Sequence, residues 1–375
     1  MSLKVKPTKH YSLASGKLAA GCRKCVKGEK LVLFVTGLCS QRCDFCPISD
    51  KKLFKDVVYA NERPLEADED FKGLVDEARV SRSSGAGITG GDPLMRVMRV
   101  AKYIRKLKSE FGKRFHIHLY TPLNLVTESR LKALHEAGLD EIRFHPDLNR
   151  KEQWDRILLA RKYPWSIGVE IPAIPGRERE TRELLSFLPG KIDFLNINEL
   201  ELADNKVWRN AKDARTKDSV SYAIKGSDEL ARKLISYSTS IGLPTHYCTC
   251  KLKDRVQLAQ RVKRRAKSAR LPTDRVLQDG MLLRGAIYLP ELKPGFGYRD
   301  KLGKISLSEK GKILKRLESI KARLGVRSFV DRNKLRLLTS ERSARKVRKS
   351  SDYLVAIVLE YPTFDALELE VEFLG

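Results

Sequence analysis

The 375-residue chain contains no run of ~20 apolar residues, the length a membrane-crossing helix requires. Its first ten residues, Met1 to His10, lack the apolar stretch of a secretory signal. No membrane association is expected, and the chain reads as cytoplasmic. Cysteine is scarce and never solitary: all seven fall in tight groups. An odd number so distributed argues against a disulfide framework and for a reducing setting. Aromatic residues make up only 7% of the chain, and neither a zinc finger nor a single-strand stacking motif is present. Sequence-specific reading of DNA is therefore disfavoured. Acidic residues are in deficit, 47 against 74 Lys and Arg, leaving a net charge of +27. Such an imbalance bears on partners rather than on fold. The length suggests two domains, one of them large.

Three cysteines stand in the frame Cys-x3-Cys-x2-Cys, at Cys39, Cys43 and Cys46, just after the apolar run Leu31–Val35. Three thiolates on one short loop can bind three corners of a [4Fe–4S] cube and leave the fourth iron open to a small chelating molecule. The same residues could belong to a zinc site, which wants four N or S ligands, or be plain buried thiols. A second motif, Gly90-Gly91-Asp92-Pro93, follows the apolar stretch Ala86–Thr89. Paired glycines let backbone approach a ligand where a Cβ would intrude, although the tetrapeptide alone also describes an ordinary turn.

The cysteine frame, the aromatic Phe45 before its last member and the placement of Gly90–Pro93 resemble the radical S-adenosylmethionine (SAM) superfamily. The resemblance implies a [4Fe–4S] cluster on Cys39, Cys43 and Cys46 that cleaves SAM to a 5′-deoxyadenosyl radical. It implies that Gly90, Gly91, Asp92 and Pro93 receive the SAM amino group, with Asp92 in place of the commoner Glu. By the same analogy Thr121 and His145, at two strand ends, contact the ribose and sulfonium side, and Ile174 forms an apolar shelf under the adenine. An electron donor protein is expected as a partner.

Strand-like runs at Leu31–Val35, Ala86–Thr89, Phe115–Thr121, Glu141–His145, Ser166–Ile171 and Phe194–Asn198 alternate with helical patterns. One of these, Thr127–Glu136, opens on a threonine N-cap and closes at Gly138. Six such βα units predict an α/β fold, a partial (β/α)6 TIM-like barrel, which is also the radical SAM core. Chemistry collects at the C-terminal strand ends of such barrels. These are His118–Thr121, with His116 on the same strand, then Arg143–Pro146, Glu170–Gly176 and Asn196–Glu199. Residues 29–250 are assigned to this barrel, residues 1–28 to an N-terminal cysteine-containing extension, and 251–375 to a small basic α+β domain.

The remaining cysteines form two pairs, Cys22/Cys25 before the first strand and Cys248/Cys250 after the last. A barrel brings its first and last elements together, so four thiolates could build a closed second site for zinc or an auxiliary Fe–S cluster. A redox dithiol at Cys22/Cys25 is the competing reading. Residues 251–270 carry nine basic side chains and one acidic, with Leu252, Val256, Ala259 and Val262 at helical spacing as in an amphipathic helix, and Arg342–Lys349 is a second basic run. Both suit a phosphate backbone, and Gly295–Tyr298 could offer a stacking platform or simply a tight turn. The leading functional expectation is a radical SAM enzyme modifying structured RNA, tRNA first. The alternative is an activase or peptide-modifying enzyme that abstracts hydrogen from a protein, since most of the chain is similar to archaeal radical SAM proteins related to pyruvate formate-lyase activating enzyme.

Overall fold

The computed structural model describes residues 3–66, 69–209, 215–218, 221–348 and 350–374. The chain divides into two compact units, Met1–Arg261 and Val262–Gly375. Among the described residues, no helix is long and apolar enough to cross a membrane.

The first unit holds an eleven-stranded sheet. In chain order its strands are β1 (Val5–Pro7), β2 (Leu13–Ser15), β3 (Lys30–Phe34), β4 (Val58–Ala60), β5 (Arg63–Leu65), β6 (Gly85–Thr89), β7 (His116–Pro122), β8 (Glu141–His145), β9 (Ser166–Ala173), β10 (Phe194–Glu199) and β11 (Thr245–Cys248). Their order across the sheet is β1-β2-β11-β10-β9-β8-β7-β6-β3-β4-β5. The six expected strands, β3 and β6 to β10, are all present and parallel. The sheet then gains a seventh parallel strand, β11, which the alternating pattern did not reveal. It is four residues long and buried throughout, so no apolar–polar alternation marks it.

Helices α1 (Ala20–Val26), α2 (Phe71–Val80), α3 (Val97–Phe111), α4 (Glu128–Ala137), α5 (Glu178–Phe187), α6 (Lys206–Arg209) and α7 (Ser227–Ser240) connect the strands, with a 3₁₀ helix, Lys151–Lys162, between β8 and β9. Helix α4 begins and ends as its sequence predicts. Thr127 Oγ1 accepts from the Arg130 N–H, and Gly138 closes the helix at φ +99°. One face of the parallel sheet is aliphatic. Leu31, Leu33, Ala86, Ile88, Ile117, Leu119, Ile142, Ile167, Val169, Leu195 and Ile197 are wholly buried there and form the core with α2 to α5 and α7.

The other face is polar, and strand register sets its ladders. Lys30, Gly85 and His116 are neighbours; so are His118 and Glu141, Tyr120 and Arg143, Glu170 with Asn196 and His246, and Asn198 with Cys248. Buried polar side chains are tolerated only when they satisfy one another, and this face is accordingly cross-linked by hydrogen bonds. Helix α1 lies against it, with the Gly21 N–H donating to Glu141 Oε2 at 3.1 Å. A Cβ at Gly21 would sit 2.4 Å from Arg143 Nη2, so only glycine permits this approach.

After β11 the chain runs through α8 (Cys250–Leu252), a π-helical turn Lys253–Leu258 and α9 (Ala259–Ala269). The second unit is α+β, as expected. Strands β12 (Arg275–Val276), β13 (Leu282–Tyr288), β14 (Phe329–Asp331), β15 (Arg336–Thr339), β16 (Leu354–Glu360) and β17 (Glu368–Phe373) form an antiparallel sheet in the order β14-β15-β13-β16-β17, with β12 beside β13. Helices α10 (Tyr298–Lys304), α11 (Leu307–Arg323) and α12 (Glu341–Ala344) complete it. Its buried Arg336 and Arg284 both engage the wholly buried Glu360, at 2.7 and 2.6 Å.

Part of the first basic segment is paired internally, while Lys251, Arg255, Lys267 and Arg270 are exposed. Arg261 pairs with Glu62 at 2.6 Å, Lys253 pairs with Glu201 at 3.0 Å, and the buried Arg265 donates to the Pro362 carbonyl. The second run also exposes Arg342, Arg345, Lys346 and Arg348; Lys349 lies outside the described residues. In the Gly295–Tyr298 loop, Phe296 is fully exposed whereas Tyr298 is buried and donates to the Lys334 carbonyl.

Candidate active site

Cys39, Cys43, Cys46 and Phe45 line a cavity of about 650 Å³ within the first unit. Its wall continues through Gly90 and Gly91 just after β6, Thr121 near the end of β7, and His145 at the end of β8. The floor is made by Tyr120, Arg143, Glu170 and Asn198, side chains on the polar sheet face. The separation of about fifty residues between the cysteine loop and Gly90–Gly91 is closed by backbone pairing. The Gly91 N–H donates to the Thr36 carbonyl and the Asp92 N–H to the Leu38 carbonyl, both at 2.8 Å. Here the glycines serve a second purpose beyond access for a ligand. A Cβ on Gly90 or Gly91 would stand 2.3 Å from the Thr36 or Leu38 oxygen respectively, so the loop that carries the cysteines docks where a side chain would be.

Asp92 does not occupy the place expected of it. It is absent from the cavity wall and wholly buried. Its Oδ1 accepts from Thr121 Oγ1 at 2.8 Å and the Leu94 N–H at 3.0 Å, and Oδ2 accepts from Ser40 Oγ at 2.7 Å. The carboxylate thus fastens the cysteine loop to β7 and caps the short 3₁₀ helix Pro93–Arg96. Pro93 is buried as the first residue of that helix and does not reach the cavity either. Burial pushes the Asp92 pKa up, against the pull of its three donors.

Phe45 packs edge-on against His145, with ring centres 5.7 Å apart. His145 Nδ1 lies 2.9 Å from the Glu170 carbonyl, which can only accept, so Nδ1 carries the hydrogen and Nε2 is left as an acceptor. Burial lowers the His145 pKa and keeps the ring neutral. Ile174 is not in the main cavity. It lines an adjoining depression of about 380 Å³ with Phe45, Leu200, Trp208 and Ile224. Glu170, at the floor, accepts from Arg143 Nη1 and Asn196 Nδ2, both at 2.8 Å, and from Asn198 Nδ2 at 3.0 Å. Burial alone would raise its pKa, but Arg143 and the two amides outweigh it and hold the group below the usual carboxylate range. Lys253, Arg42 and Phe54 also border the cavity; Lys253 was read only as part of the basic segment, and Arg42 and Phe54 come from loops where no sequence pattern marked them for the site.

All seven cysteines are free. Burial, then the neighbouring Cys39 and Cys46, push the Cys43 thiol up to about 12. A metal would displace that proton, since thiolate is the ligand form. Three thiols on one loop, a cavity beside them and a glycine-built wall fit a cluster with one open iron and a small co-substrate. Of the four cysteines expected at a second site, Cys22, Cys25 and Cys248 lie near enough to raise one another's thiol pKa, and most also have protein partners of their own. Cys22 Sγ accepts from Asn196 Nδ2 at 3.2 Å, Cys248 Sγ accepts from Gln257 Nε2 at 3.7 Å, and Cys250 Sγ faces the Glu199 carbonyl at 4.0 Å. Cys25 neighbours Cys22 and Lys30, and Cys248 in turn feels both Cys22 and Cys25. Among the described residues, no three His, Cys, Asp or Glu side chains are already gathered as metal ligands, the loop triplet included.

Residues 33–188 match the Radical SAM superfamily. A protein of Methanocaldococcus jannaschii named "Putative glycyl-radical enzyme activating enzyme" is 39% identical over 365 residues, spanning 94% of this chain and 92% of its own length. Two structures of TsrM, a radical SAM methyltransferase from Kitasatospora setae, align over 47% of this chain at 13% identity with TM-scores of 0.34. One holds tryptophan and the SAM analogue aza-SAM, the other cobalamin and a [4Fe–4S] cluster. This chain spans 37% and 35% of their lengths, and a likeness of that grade carries no argument.

Proposed function

Because the chain belongs to the radical SAM superfamily and is an enzyme with a [4Fe–4S] cluster and SAM as its cofactors, we propose that it takes a hydrogen atom from a protein substrate, in the manner of a glycyl-radical enzyme activating enzyme. The observation that carries this reading is the cavity itself. The cysteine loop and the Gly90–Gly91 wall border the same space as a polar floor. The 39% identical relative, with its name, favours protein over RNA as the substrate. The internal pairing of Arg261, Lys253 and Arg265 takes three of the first basic segment's nine cations from a docking surface, while Lys251, Arg255, Lys267 and Arg270 stay exposed.

Cys39, Cys43 and Cys46 would hold the cluster. When bound, cluster and SAM supply a one-electron cleavage that yields a 5′-deoxyadenosyl radical able to abstract hydrogen from carbon. The chain's own contribution is enclosure and orientation. Phe45, Pro122, Pro172 and Leu200 make part of the wall apolar and limit water. His145, neutral and with Nε2 free to accept, can orient a hydroxyl or N–H donor. The electron comes from a donor protein that remains to be matched to the loop surface.

The test uses cells of the source organism grown in D2O, fractionated into protein and RNA. Reconstituted, reduced enzyme is incubated with each fraction and unlabelled SAM in H2O. Deuterium in the 5′-deoxyadenosine product from the protein fraction supports the proposal. Deuterium from the RNA fraction instead would establish the RNA-modifying reading, which the exposed run Arg342–Arg348 would then serve.

A further inference from the structure

The polar floor is organised more tightly than a cofactor pocket alone requires. Glu170 keeps 18% side-chain exposure toward the cavity, while Arg143 beneath it keeps 2%. Both Glu170 oxygens are fixed by donors from below and beside: Arg143 and Asn196 on Oε2, Asn198 on Oε1. Those donors are themselves fixed. Arg143 also donates from Nε to Glu141 Oε1 at 2.6 Å, and Glu141 receives the Gly21 N–H of α1. Cys22, the next residue of α1, accepts from Asn196 Nδ2 at 3.2 Å and Arg143 Nη2 at 3.5 Å. The thiol therefore touches two of the three groups that hold Glu170. A carboxylate oxygen has more acceptor directions than these donors fill, and the remainder open on the cavity.

From this geometry we infer that Glu170 fixes the substrate by accepting from an N–H donor such as a peptide amide. We infer also that Cys22 is a positioning residue acting on Glu170 through Arg143 and Asn196. The inference deepens the protein-substrate proposal and rests on it. A phosphodiester or a carboxylate brought against Glu170 would meet like charge, so the group that docks there is neutral or cationic and carries a hydrogen to donate. Glu170 and Asn198 touch the substrate; Cys22 does not, and its effect passes through side chains that do.

The deuterium experiment supplies the readout: the deuterated share of all 5′-deoxyadenosine formed. That share reports how well the substrate hydrogen is presented, and a merely structural lesion would not move it. Glu170→Gln and Asn198→Ala are expected to lower the share about tenfold, the effect of losing one hydrogen bond to a charged group. Cys22→Ala is expected to lower it by a smaller factor, and Cys22→Ser, which keeps an acceptor in place, to restore it. A deuterated share unchanged in Glu170→Gln and Asn198→Ala overturns the inference. So does a Cys22→Ser variant no better than Cys22→Ala. If Glu170→Gln does not fold, Asn198→Ala at the rim of the same network decides alone. Failure of the underlying proposal looks different: wild-type enzyme then draws no deuterium from the protein fraction.

Discussion

Replacing Asp92 distinguishes a carboxylate that binds SAM from one that holds the site together. Its two oxygens take three donors, the Ser40 and Thr121 hydroxyls and the Leu94 N–H, at 2.7 to 3.0 Å and with no solvent exposure. In Asp92→Asn the amide oxygen can keep Thr121 and Leu94, and the new NH2 can donate to a rotated Ser40 hydroxyl. All three links survive, so the cost should be about 1 kcal/mol. In Asp92→Ala all three are lost, two hydroxyls and one N–H are left without an acceptor, and the expected cost is about 3–4 kcal/mol. Denaturant unfolding of the apo-protein measures both, with iron content after reconstitution as a second readout. Asp92→Ala should lose iron because Ser40 and the cysteine loop come free of β7. Asp92→Asn should keep iron and bind SAM normally in anaerobic equilibrium dialysis. The reasoning is refuted if Asp92→Asn is as stable as wild type and retains iron but no longer binds SAM. The charge would then be spent on the ligand.

Three further perturbations test the same physics elsewhere. In Gly91→Ala the new Cβ would meet the Leu38 oxygen at 2.3 Å, so the cysteine loop must move; iron content should drop severalfold while far-UV circular dichroism stays that of the wild type. Glu141 is pulled down to about 2 by Arg143 and His116, which outweigh the opposing effect of burial. Its folded pKa lies below its unfolded value near 4.5, so its stabilisation is present above that value and is lost as pH falls toward 2. Acid unfolding of Glu141→Gln should therefore be shallower over that window, by up to about 3 kcal/mol. Gly138 closes α4 at φ +99°, and Gly138→Ala should cost about 1 kcal/mol in thermal unfolding with no change in SAM binding.

What could be read from sequence was local, and what could not was set by residues far apart in the chain. The cysteine frame is visible because its eight-residue geometry is a property of one loop, and the six strands because each carries an apolar run in a short window. Strand β11 was missed because its four residues, Thr245 to Cys248, include a threonine and a histidine and form no apolar run, although all four are buried. Arg143 and Glu170 lie inside strands that were found, yet their spacing says nothing of a shared purpose. They meet only because β8 and β9 pair in register and α1 supplies Cys22 from 121 residues away. Asp92 was assigned to the ligand because the resemblance of Gly90–Pro93 to the superfamily motif implies it. Its partners Ser40 and Thr121 are 52 and 29 residues distant, and they draw it inward. The basic helix misled in the same way. Nine cations on an amphipathic helix suggest a fully solvated face; four of them are exposed, but Arg261 finds Glu62 across 199 residues of sequence. Composition reports how much charge a chain carries; only tertiary pairing decides how much of it is left to offer a partner. At the floor of the cavity, pairing of that kind sets a buried arginine and two amides around the single carboxylate of Glu170.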